Sequence, residues 1–171
     1  SNDYLGLASS DSLRAAIQDA LERGVPIGSG GSRLLRGNHE EHESLEHEAA
    51  RYFGSESCLF FSSGYAANSA LLASLPQRGD MIFHDELIHA SSHEGLRLSR
   101  AGSLSIPHND AEAFADAIAA WRLAGSTGTP WIAVESLYSM EGDNAPVEDL
   151  AAIDDRHEAV LIIDEAHSTG A

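Results

Sequence analysis

The apolar residues of the chain recur with two different spacings, which alternate along its length. In six stretches they recur every three or four residues, which places apolar side chains on one face of a helix. The first stretch follows the capping candidates Ser9 and Ser10 and stops at Gly24. The others cover residues 40–53, 66–75, 91–100, 110–121 and 147–157. Gly54 is predicted to end the second helix, whose first turn is acidic.

Five short runs between these helices are apolar at consecutive positions. They cover residues 58–61, 81–83, 104–106, 131–134 and 160–163. Continuous apolarity of this length is typical of strands that are buried on both faces. Strands that alternate with helices predict an α/β fold built on a mostly parallel sheet with right-handed crossovers.

Polar side chains follow four of the predicted strands. In an open parallel sheet, ligands bind at the carboxyl ends of the strands, so these positions are the first candidates for a functional site. They are residues 62–65, His84 with Asp85 and His89, residues 135–139, and residues 164–167. Each has an ordinary structural interpretation as a cap, a turn or a satisfied polar group. Their shared position after several strands favours a ligand site.

Two of these segments suggest specific chemistry. Residues 62–65 precede a predicted helix, whose free amides and dipole can hold a phosphate without a lysine. The same tetrapeptide is equally consistent with a simple serine N-cap. Asp164 ends a buried strand and can pair with a cationic ring nitrogen, an arrangement known for pyridoxal phosphate. His89 can stack its imidazole on a flat ring.

The charge balance narrows the classes of partner. The chain has 171 residues, with ten basic side chains against 27 acidic ones and a net charge of −17. All ten basic residues are arginines, so these residues supply no lysine to a phosphate loop or a Schiff base. Nucleic acids and anionic membranes bind mainly to basic side chains, so the acidic balance argues against both. A small anionic ligand stays compatible, because backbone amides bind phosphate.

Cysteine usage and hydropathy indicate the compartment. Cys58 is the single cysteine and cannot close an internal disulfide, and its apolar neighbours favour a buried structural role. No apolar run approaches the roughly 20 residues that span a bilayer, and the first residues lack the features of a signal peptide. We therefore predict a soluble, cytoplasmic protein.

A histidine-rich helix raises the question of a metal site. His42 and Glu46 lie one helical turn apart, close to His39 and His47. A zinc motif of the H-E-x-x-H type would require histidine at position 43 or 46, and both positions are glutamate. The pattern favours a solvated acidic helix face, and no metal site is predicted.

Seven segments of the chain form an ordered pattern. They are Ser1-Asn2-Asp3-Tyr4-Leu5-Gly6-Leu7, Gly28-Ser29-Gly30-Gly31-Ser32-Arg33, His42-Glu43-Ser44-Leu45-Glu46, Ser63-Gly64-Tyr65-Ala66-Ala67-Asn68, His89-Ala90-Ser91, Ser139-Met140-Glu141-Gly142-Asp143-Asn144-Ala145-Pro146 and Asp164-Glu165-Ala166-His167-Ser168-Thr169-Gly170. Their order resembles that of the α-oxoamine synthases, pyridoxal-phosphate enzymes that join an amino acid to an acyl thioester with loss of carbon dioxide. The chain most resembles the members of biotin synthesis, while members that acylate glycine or serine share much of the pattern.

The resemblance implies a fold and a set of catalytic residues. The fold is the three-layer, mostly parallel α/β large domain of fold type I PLP-dependent transferases. His89 would stack on the pyridine ring and help to place the substrate, and Asp164 would keep the ring nitrogen protonated. Ser139 and His167 would contact the phenolic oxygen of the ring. A protonated ring nitrogen draws electrons from the substrate Cα and stabilises the carbanion that attacks the thioester. His89, Asp164 and His167 are thus the predicted catalytic residues.

The resemblance also implies phosphate and substrate contacts. Gly64 and Tyr65 would lie at the phosphate end of the cofactor. The loop from Gly28 to Ser32 would border the substrate site, with Ser32 as a substrate contact. In this family the loop acts across a dimer interface, so the resemblance implies a homodimer with a shared active site, whose partners are an amino acid and an acyl thioester.

The same resemblance predicts how the chain is divided. Residues 1–25 would be an N-terminal segment, and residues 26–171 the first part of the PLP-binding large domain. In the family, the cofactor-bearing lysine follows the motif matched by residues 164–170 by some tens of positions. The 171 residues alone are therefore expected to be an incomplete large domain, inactive by itself, with the C-terminal small domain absent.

Two other classes of function fit part of the sequence. Residues 164–167 spell the Asp-Glu-Ala-His tetrapeptide of a helicase class, but a nucleotide motor needs a phosphate-loop lysine that these residues lack. A lysine-free relative that acts as a non-catalytic partner subunit is the stronger alternative. The sequence that follows position 171 distinguishes it from an enzyme.

Overall fold

The computed structural model describes residues 3–170, which form six α-helices and four β-strands. The helices are α1 (Asp11–Glu22), α2 (Glu40–Phe53), α3 (Gly64–Ser74), α4 (Ala90–Leu98), α5 (Ala111–Leu123) and α6 (Val147–His157), and the strands are β1 (Met81–Asp85), β2 (Gly102–Ile106), β3 (Pro130–Glu135) and β4 (Val160–Asp164). The chain divides into two compact units at the Phe61–Ser62 peptide. The division into residues 1–25 and 26–171 stays a prediction.

The second unit contains a sheet of four parallel strands. Their order is β2-β1-β3-β4, so β1 and β3 are central. The central strands are almost wholly buried, as continuous apolarity predicts, whereas four of the five residues of β2 are exposed. The residues of β4 are exposed or half-buried. The expectation of burial on both faces is therefore wrong for β2 and β4, because each forms an edge of this sheet.

Helices cover both faces of the sheet. On one face, α5 and α6 pack against β1 and β3 through an apolar cluster that includes Phe83, Ile106, Phe114, Ile118, Ile132, Val134, Leu150 and Ile153. On the other face, Leu72 of α3 packs with Ile82 and Ala133, and Leu96 of α4 lies beside them. Helices α3 and α4 approach closely, because a Cβ atom on Gly95 would lie 2.8 Å from the Cβ atom of Leu72. The predicted three-layer α/β fold is confirmed.

The predicted helix boundaries follow local signals and hold closely. Helices α2 and α6 have the predicted bounds. The Ser10 hydroxyl caps α1 by accepting from the Leu13 amide. Gly54 ends α2 with a φ of 66°, a left-handed conformation that glycine adopts without a Cβ penalty.

Two of the histidines that were considered above as metal ligands, His39 and His42, cap the start of α2. Nδ1 of His39 accepts from the Glu41 amide at 3.2 Å, and Nδ1 of His42 accepts from the His39 amide at 3.2 Å. Both rings thus satisfy backbone donors that the start of a helix leaves free. Across residues 3–170, no helix combines the length and hydropathy needed to cross a bilayer.

Residues 58–61 do not form the strand that their apolar run predicts. The Phe60 amide donates to Oε1 of Glu46 at 2.8 Å, and the Phe60 carbonyl accepts from the Arg33 guanidinium at 3.3 Å. Side chains therefore occupy backbone groups that a strand ladder would use. The hydrogen bonds from Arg33 and then from Phe60 lower the pKa of Glu46 to about 2. Cys58, predicted to be buried, is half-buried.

Candidate functional site

The parallel register brings acidic side chains together at the carboxyl edge of the sheet. Glu135 at the end of β3 pairs in register with Asp164 at the end of β4. Asp85 ends β1 at the same edge, where it pairs in register with Ile106 of β2. Glu135 and Asp164 directly follow their apolar runs, and Asp85 follows its run after His84. The shared edge follows from the sequence, because parallel strands end together.

Asp164 is held by donors from two other segments. Its Oδ2 atom accepts from the Asn68 amide nitrogen at 2.6 Å, and its Oδ1 atom accepts from the Ala166 backbone amide at 3.0 Å. Asn68 lies on α3, which packs on the sheet. These hydrogen bonds fix the plane of the carboxylate at a half-buried position.

His89 is connected to Asp164 through a short chain of polar side chains. The Asn68 amide nitrogen lies 3.0 Å from the hydroxyl of Ser91, which is 2.7 Å from Nδ1 of His89. His89 is the N-cap of α4, and its Nδ1 accepts from the Ser91 amide at 3.2 Å. Because Nδ1 is an acceptor, the proton of the neutral ring lies on Nε2.

Tyr65 places an aromatic ring next to His89. The two ring centroids are 6.4 Å apart and the planes meet at 84°, an edge-to-face arrangement. Tyr65 lies in the first turn of α3, directly after Gly64 and the N-cap Ser63. The Ser63 hydroxyl accepts from the Ala66 amide at 3.2 Å. The amides of Gly64 and Tyr65 precede the first intrahelical hydrogen bonds and can bind an anion.

Glu135 is a buried carboxyl in the middle of this group. Only 4% of its surface is exposed. Burial, and then the charge of Asp164, raise the pKa of Glu135, while the Ser139 amide and the charges of His89 and His167 act against that rise. Glu135 therefore holds its proton up to a higher pH than an ordinary glutamate does. In its protonated form it does not repel the charge of Asp164.

Ser139 and His167 lie in the turns that follow β3 and β4. Ser139 is exposed and its backbone amide is hydrogen-bonded to Glu135. His167 is half-buried, and its charge acts on Glu135 as well. Of the predicted residues, six therefore belong to one edge of the second unit: Gly64, Tyr65, His89, Ser139, Asp164 and His167.

Ser32, the predicted substrate contact, belongs to the first unit. Its carbonyl accepts from the amides of Leu35, Arg36 and Gly37 at 3.0, 3.1 and 2.8 Å. These bonds close the π-helical turn Arg33–Gly37 and fix the backbone after Ser32. Its contact with a substrate stays a prediction.

Sequence reasoning assigned no role to three residues that organise the site: Asn68, Ser91 and Glu135. The signal for Asn68 was present, because it is an amide within the otherwise apolar run of α3. A buried polar group needs a partner, so such a residue indicates a tertiary hydrogen bond. Its partner could not be predicted, because Asp164 is 96 positions away.

The arrangement suits a flat, cationic heteroaromatic ring that carries an anionic group. A fixed carboxylate can hold a proton on a ring nitrogen, and the amides at the start of α3 can hold the anion. A Cβ atom on Gly64 would meet nothing within 4 Å, so open space adjoins the predicted phosphate end.

Comparison with known proteins gives the same class. A family model described as aminotransferase class I and II matches residues 1–171. An 8-amino-7-oxononanoate synthase from Geobacter sulfurreducens is 45% identical over 170 residues, which are 99% of this chain and 42% of that protein. A serine palmitoyltransferase from Sphingomonas wittichii superposes with a TM-score of 0.87 at 30% identity, covering 96% of this chain and 40% of that one.

A further solved structure contains the cofactor. The serine palmitoyltransferase of S. paucimobilis with a bound PLP–myriocin aldimine superposes with a TM-score of 0.87 at 28% identity, over 96% of this chain and 42% of that chain. The present chain spans about two fifths of the length of the curated relatives that it matches.

The chain belongs to the aminotransferase class I and II family, and within it to the α-oxoamine synthases. The cofactor of this family is pyridoxal phosphate. The residues at the carboxyl edge fit that cofactor, since they provide an oriented carboxylate, an anion site at a helix start and a histidine beside the intervening space.

Proposed function

We propose that the whole protein is a pyridoxal-phosphate-dependent acyltransferase of biotin synthesis. It would condense L-alanine with a pimeloyl thioester, carried by coenzyme A or by a carrier protein, with loss of carbon dioxide. The name of the 45%-identical G. sulfurreducens relative supports this substrate pair. The observation that carries the proposal is the oriented carboxylate of Asp164, which is linked through Asn68 and Ser91 to His89.

Asp164 has the central role in the proposed mechanism. Bound pyridoxal phosphate supplies an electron sink for the substrate Cα bond. Asp164 would keep the proton on the ring nitrogen, and its hydrogen bonds with Asn68 and Ala166 fix the plane of its carboxylate. Burial and the charge of Asp164 raise the pKa of Glu135, which makes two adjacent negative charges at this site less favourable.

The remaining residues bind and orient. The amides of Gly64 and Tyr65 would hold the phosphate. His89 would stack on the ring, and its contacts with Ser91 fix its own orientation. Ser139 and His167, in the turns that follow β3 and β4, would hydrogen-bond the phenolic oxygen.

Substrate contacts complete the proposal. His89 helps to place the amino acid, and Ser32 contacts the substrate from a loop that acts across a homodimer interface. Residues 1–171 contain no lysine, so a lysine that binds the cofactor would have to come from outside them.

A second candidate is an α-oxoamine synthase that takes another amino acid. Serine is the amino acid named for the solved serine palmitoyltransferase, which is 30% identical to this chain. The residues that hold the cofactor are the same under both proposals, so the amino acid and acyl chain are what the experiment must distinguish. A non-catalytic partner subunit is the remaining alternative.

Product analysis of the complete protein tests the proposal. The protein, supplied with pyridoxal phosphate, is assayed with alanine, glycine and serine against pimeloyl, acetyl and palmitoyl thioesters. We expect carbon dioxide release and 8-amino-7-oxononanoate only with alanine and the pimeloyl donors. Turnover of serine with the palmitoyl donor would support the second candidate, and no turnover of any pair would support the non-catalytic partner. Residues 1–171 alone, as a control, are expected to be inactive.

A further inference from the structure

His108 lies between two carboxylates at the same edge of the sheet. Its Nδ1 atom is 2.9 Å from Oδ1 of Asp85, and its Nε2 atom is 3.1 Å from Oδ2 of Asp143. An ionised carboxylate only accepts hydrogen bonds, so both ring nitrogens must donate to satisfy both contacts. Nε2 also lies 3.2 Å from the side-chain nitrogen of Asn109, whose two N–H groups have acceptors in Asp143 and the Asn144 carbonyl. The contacts together therefore favour the imidazolium form of His108.

The charges around His108 stabilise that form. Burial lowers the pKa of His108, but the hydrogen bonds to Asp85 and Asp143 outweigh burial and raise it. The titratable groups that face it are Asp85 and Glu86 at the end of β1 and Tyr138 and Asp143 after β3. Burial, and then the charge of Asp85, raise the pKa of Tyr138, so its phenol stays neutral.

His108 contacts both ends of one turn. The turn runs from Tyr138 to Asp143, and the Tyr138 amide donates to the Asp143 carbonyl at 3.0 Å. The Tyr138 ring is buried and meets the His108 ring edge-on, with centroids 4.5 Å apart. The Asp143 carboxylate at the other end accepts from His108. Ser139 directly follows Tyr138 and thus belongs to a turn whose first and last residues both contact the imidazole of His108.

Asn109 reinforces the same contact. Its side-chain nitrogen donates to Oδ2 of Asp143 at 3.1 Å and to the Asn144 carbonyl at 3.2 Å, while its backbone amide donates to Asp85 at 2.8 Å. Its φ of 56° lies in the left-handed region, which asparagine tolerates better than most residues. Residues 108 and 109 therefore connect the end of β1 to the turn after β3.

We propose that His108 is a positioning residue, which as an imidazolium between Asp85 and Asp143 holds Ser139 at the cofactor edge of the site. This proposal rests on the proposed function, because Ser139 matters here as a cofactor contact. It adds a residue that touches neither cofactor nor substrate, and makes the position of Ser139 depend on the charge of His108.

Cofactor binding by the complete protein tests the proposal. The Kd for pyridoxal phosphate is measured by fluorescence titration at pH 6 and pH 9 for wild type and for His108→Gln. We expect the variant to bind about fivefold more weakly at pH 6, where His108 is charged, and within about twofold of wild type at pH 9. Taking the ratio of the two Kd values at each pH removes the effect of other groups that titrate in both proteins. An equal ratio at both pH values would overturn the proposal.

The same substitution of His108 is then made in the Ser139→Ala variant, to test whether His108 acts through Ser139. If His108 acts through Ser139, the effect of His108→Gln at pH 6 must fall to within about twofold in that background. If the two substitutions instead raise the Kd by independent factors that multiply in the double variant, the proposal is overturned. Asp143→Asn, which keeps the size of the side chain, is expected to reproduce the pH-dependent loss, and its failure to do so would count against the proposal.

Two controls separate folding and function. His157→Gln, at the C-terminal end of α6, is the matched histidine control and should leave the Kd unchanged at both pH values. Near-ultraviolet circular dichroism identifies any variant that fails to fold. If His108→Gln fails to fold, the Kd values of Asp143→Asn at the two pH values test the proposal instead. Wild-type protein that binds no pyridoxal phosphate would overturn the proposed function together with this inference, whereas normal binding with additive variants would overturn the inference alone.

Discussion

Asp85 and Asp164 end two strands of one parallel sheet, β1 and β4, which are separated by β3, and their surroundings differ sharply. Asp85 is fully buried and accepts from the Leu87 amide, the Asn109 amide and the His108 ring. Asp164 is half-buried and accepts from a side-chain amide of α3 and from the Ala166 amide. A carboxylate offers about four lone-pair sites. Burial and internal hydrogen-bond donors make Asp85 inaccessible to a ligand, whereas Asp164 stays accessible to one. Each acid is the last residue of a strand, so this difference is not apparent from their places in the sequence.

The strongest test of this difference is Asp164→Asn in the complete protein. The amide cannot hold a proton on the ring nitrogen by charge, so we expect product formation to fall by about 100- to 1,000-fold. The unfolding midpoint should stay close to that of wild type, because asparagine keeps the size of the side chain. Asp149→Asn, in the exposed first turn of α6, is the matched control and should change neither quantity. Activity within threefold of wild type would remove Asp164 from the mechanism.

Asp85→Asn should have the opposite profile. It removes the charge from a fully buried group and leaves the His108 imidazolium with one carboxylate fewer. We expect a loss of about 3 kcal/mol in the free energy of unfolding, measured with urea. A variant that unfolds like wild type would mean that the hydrogen bonds of Asp85 contribute little, and the contrast with Asp164 would fail.

Asp80 extends the comparison to the other end of β1. Its carboxylate accepts from the Gln77 amide at 2.8 Å, the Thr129 amide at 2.8 Å and the Trp131 ring nitrogen at 3.2 Å. Burial opposes its charged form, but these hydrogen bonds outweigh burial and lower the pKa of Asp80. Asp80→Asn is therefore expected to cost about 2 kcal/mol of unfolding free energy at pH 7.

The pH dependence of that cost has a definite sign. A lowered folded-state pKa gives stability that is present above the ordinary aspartate pKa of ~3.9 and lost as pH falls through the folded value. The difference between wild type and Asp80→Asn in urea unfolding should shrink below about pH 4. A difference that grows on acidification would contradict the assigned hydrogen bonds.

The smallest expected effect concerns His108. Its raised pKa gives stability that is fully present below the ordinary histidine pKa of ~6.5 and lost as pH rises through the higher folded value. Wild type should exceed His108→Gln by about 1 kcal/mol at pH 6, and less at pH 9. Thermal unfolding at both pH values measures this. A gap that widens at high pH would show that His108 is not charged in the folded protein.

Local features of the fold were predictable from the sequence, because helix caps and apolar spacing act over a few residues. The stop of α2 at Gly54 and the bounds of α6 are examples. Residues 58–61 have the apolar pattern of a strand, but Arg33 and Glu46 take up hydrogen-bonding groups of Phe60. Pattern alone cannot register that competition, since it depends on residues from two distant segments.

The candidate site was predictable to a similar depth. The rule that ligands collect at the carboxyl ends of strands selected Asp164 and Ser139, and the family resemblance gave them roles. The neutral tendency of Glu135 and the position of His108 were not predictable, because both arise from strand register and from contacts across the sheet edge.

The pairing of Glu135 with Asp164 also couples their ionisation. Burial, and then the charge of Asp164, raise the pKa of Glu135, so ionising both carboxyls together costs more than ionising either one alone. One residue of slippage in β4 would turn Asp164 to the opposite face and leave Glu135 without its neighbour. The strand register therefore sets how strongly the ionisation of one carboxyl affects the other at this edge.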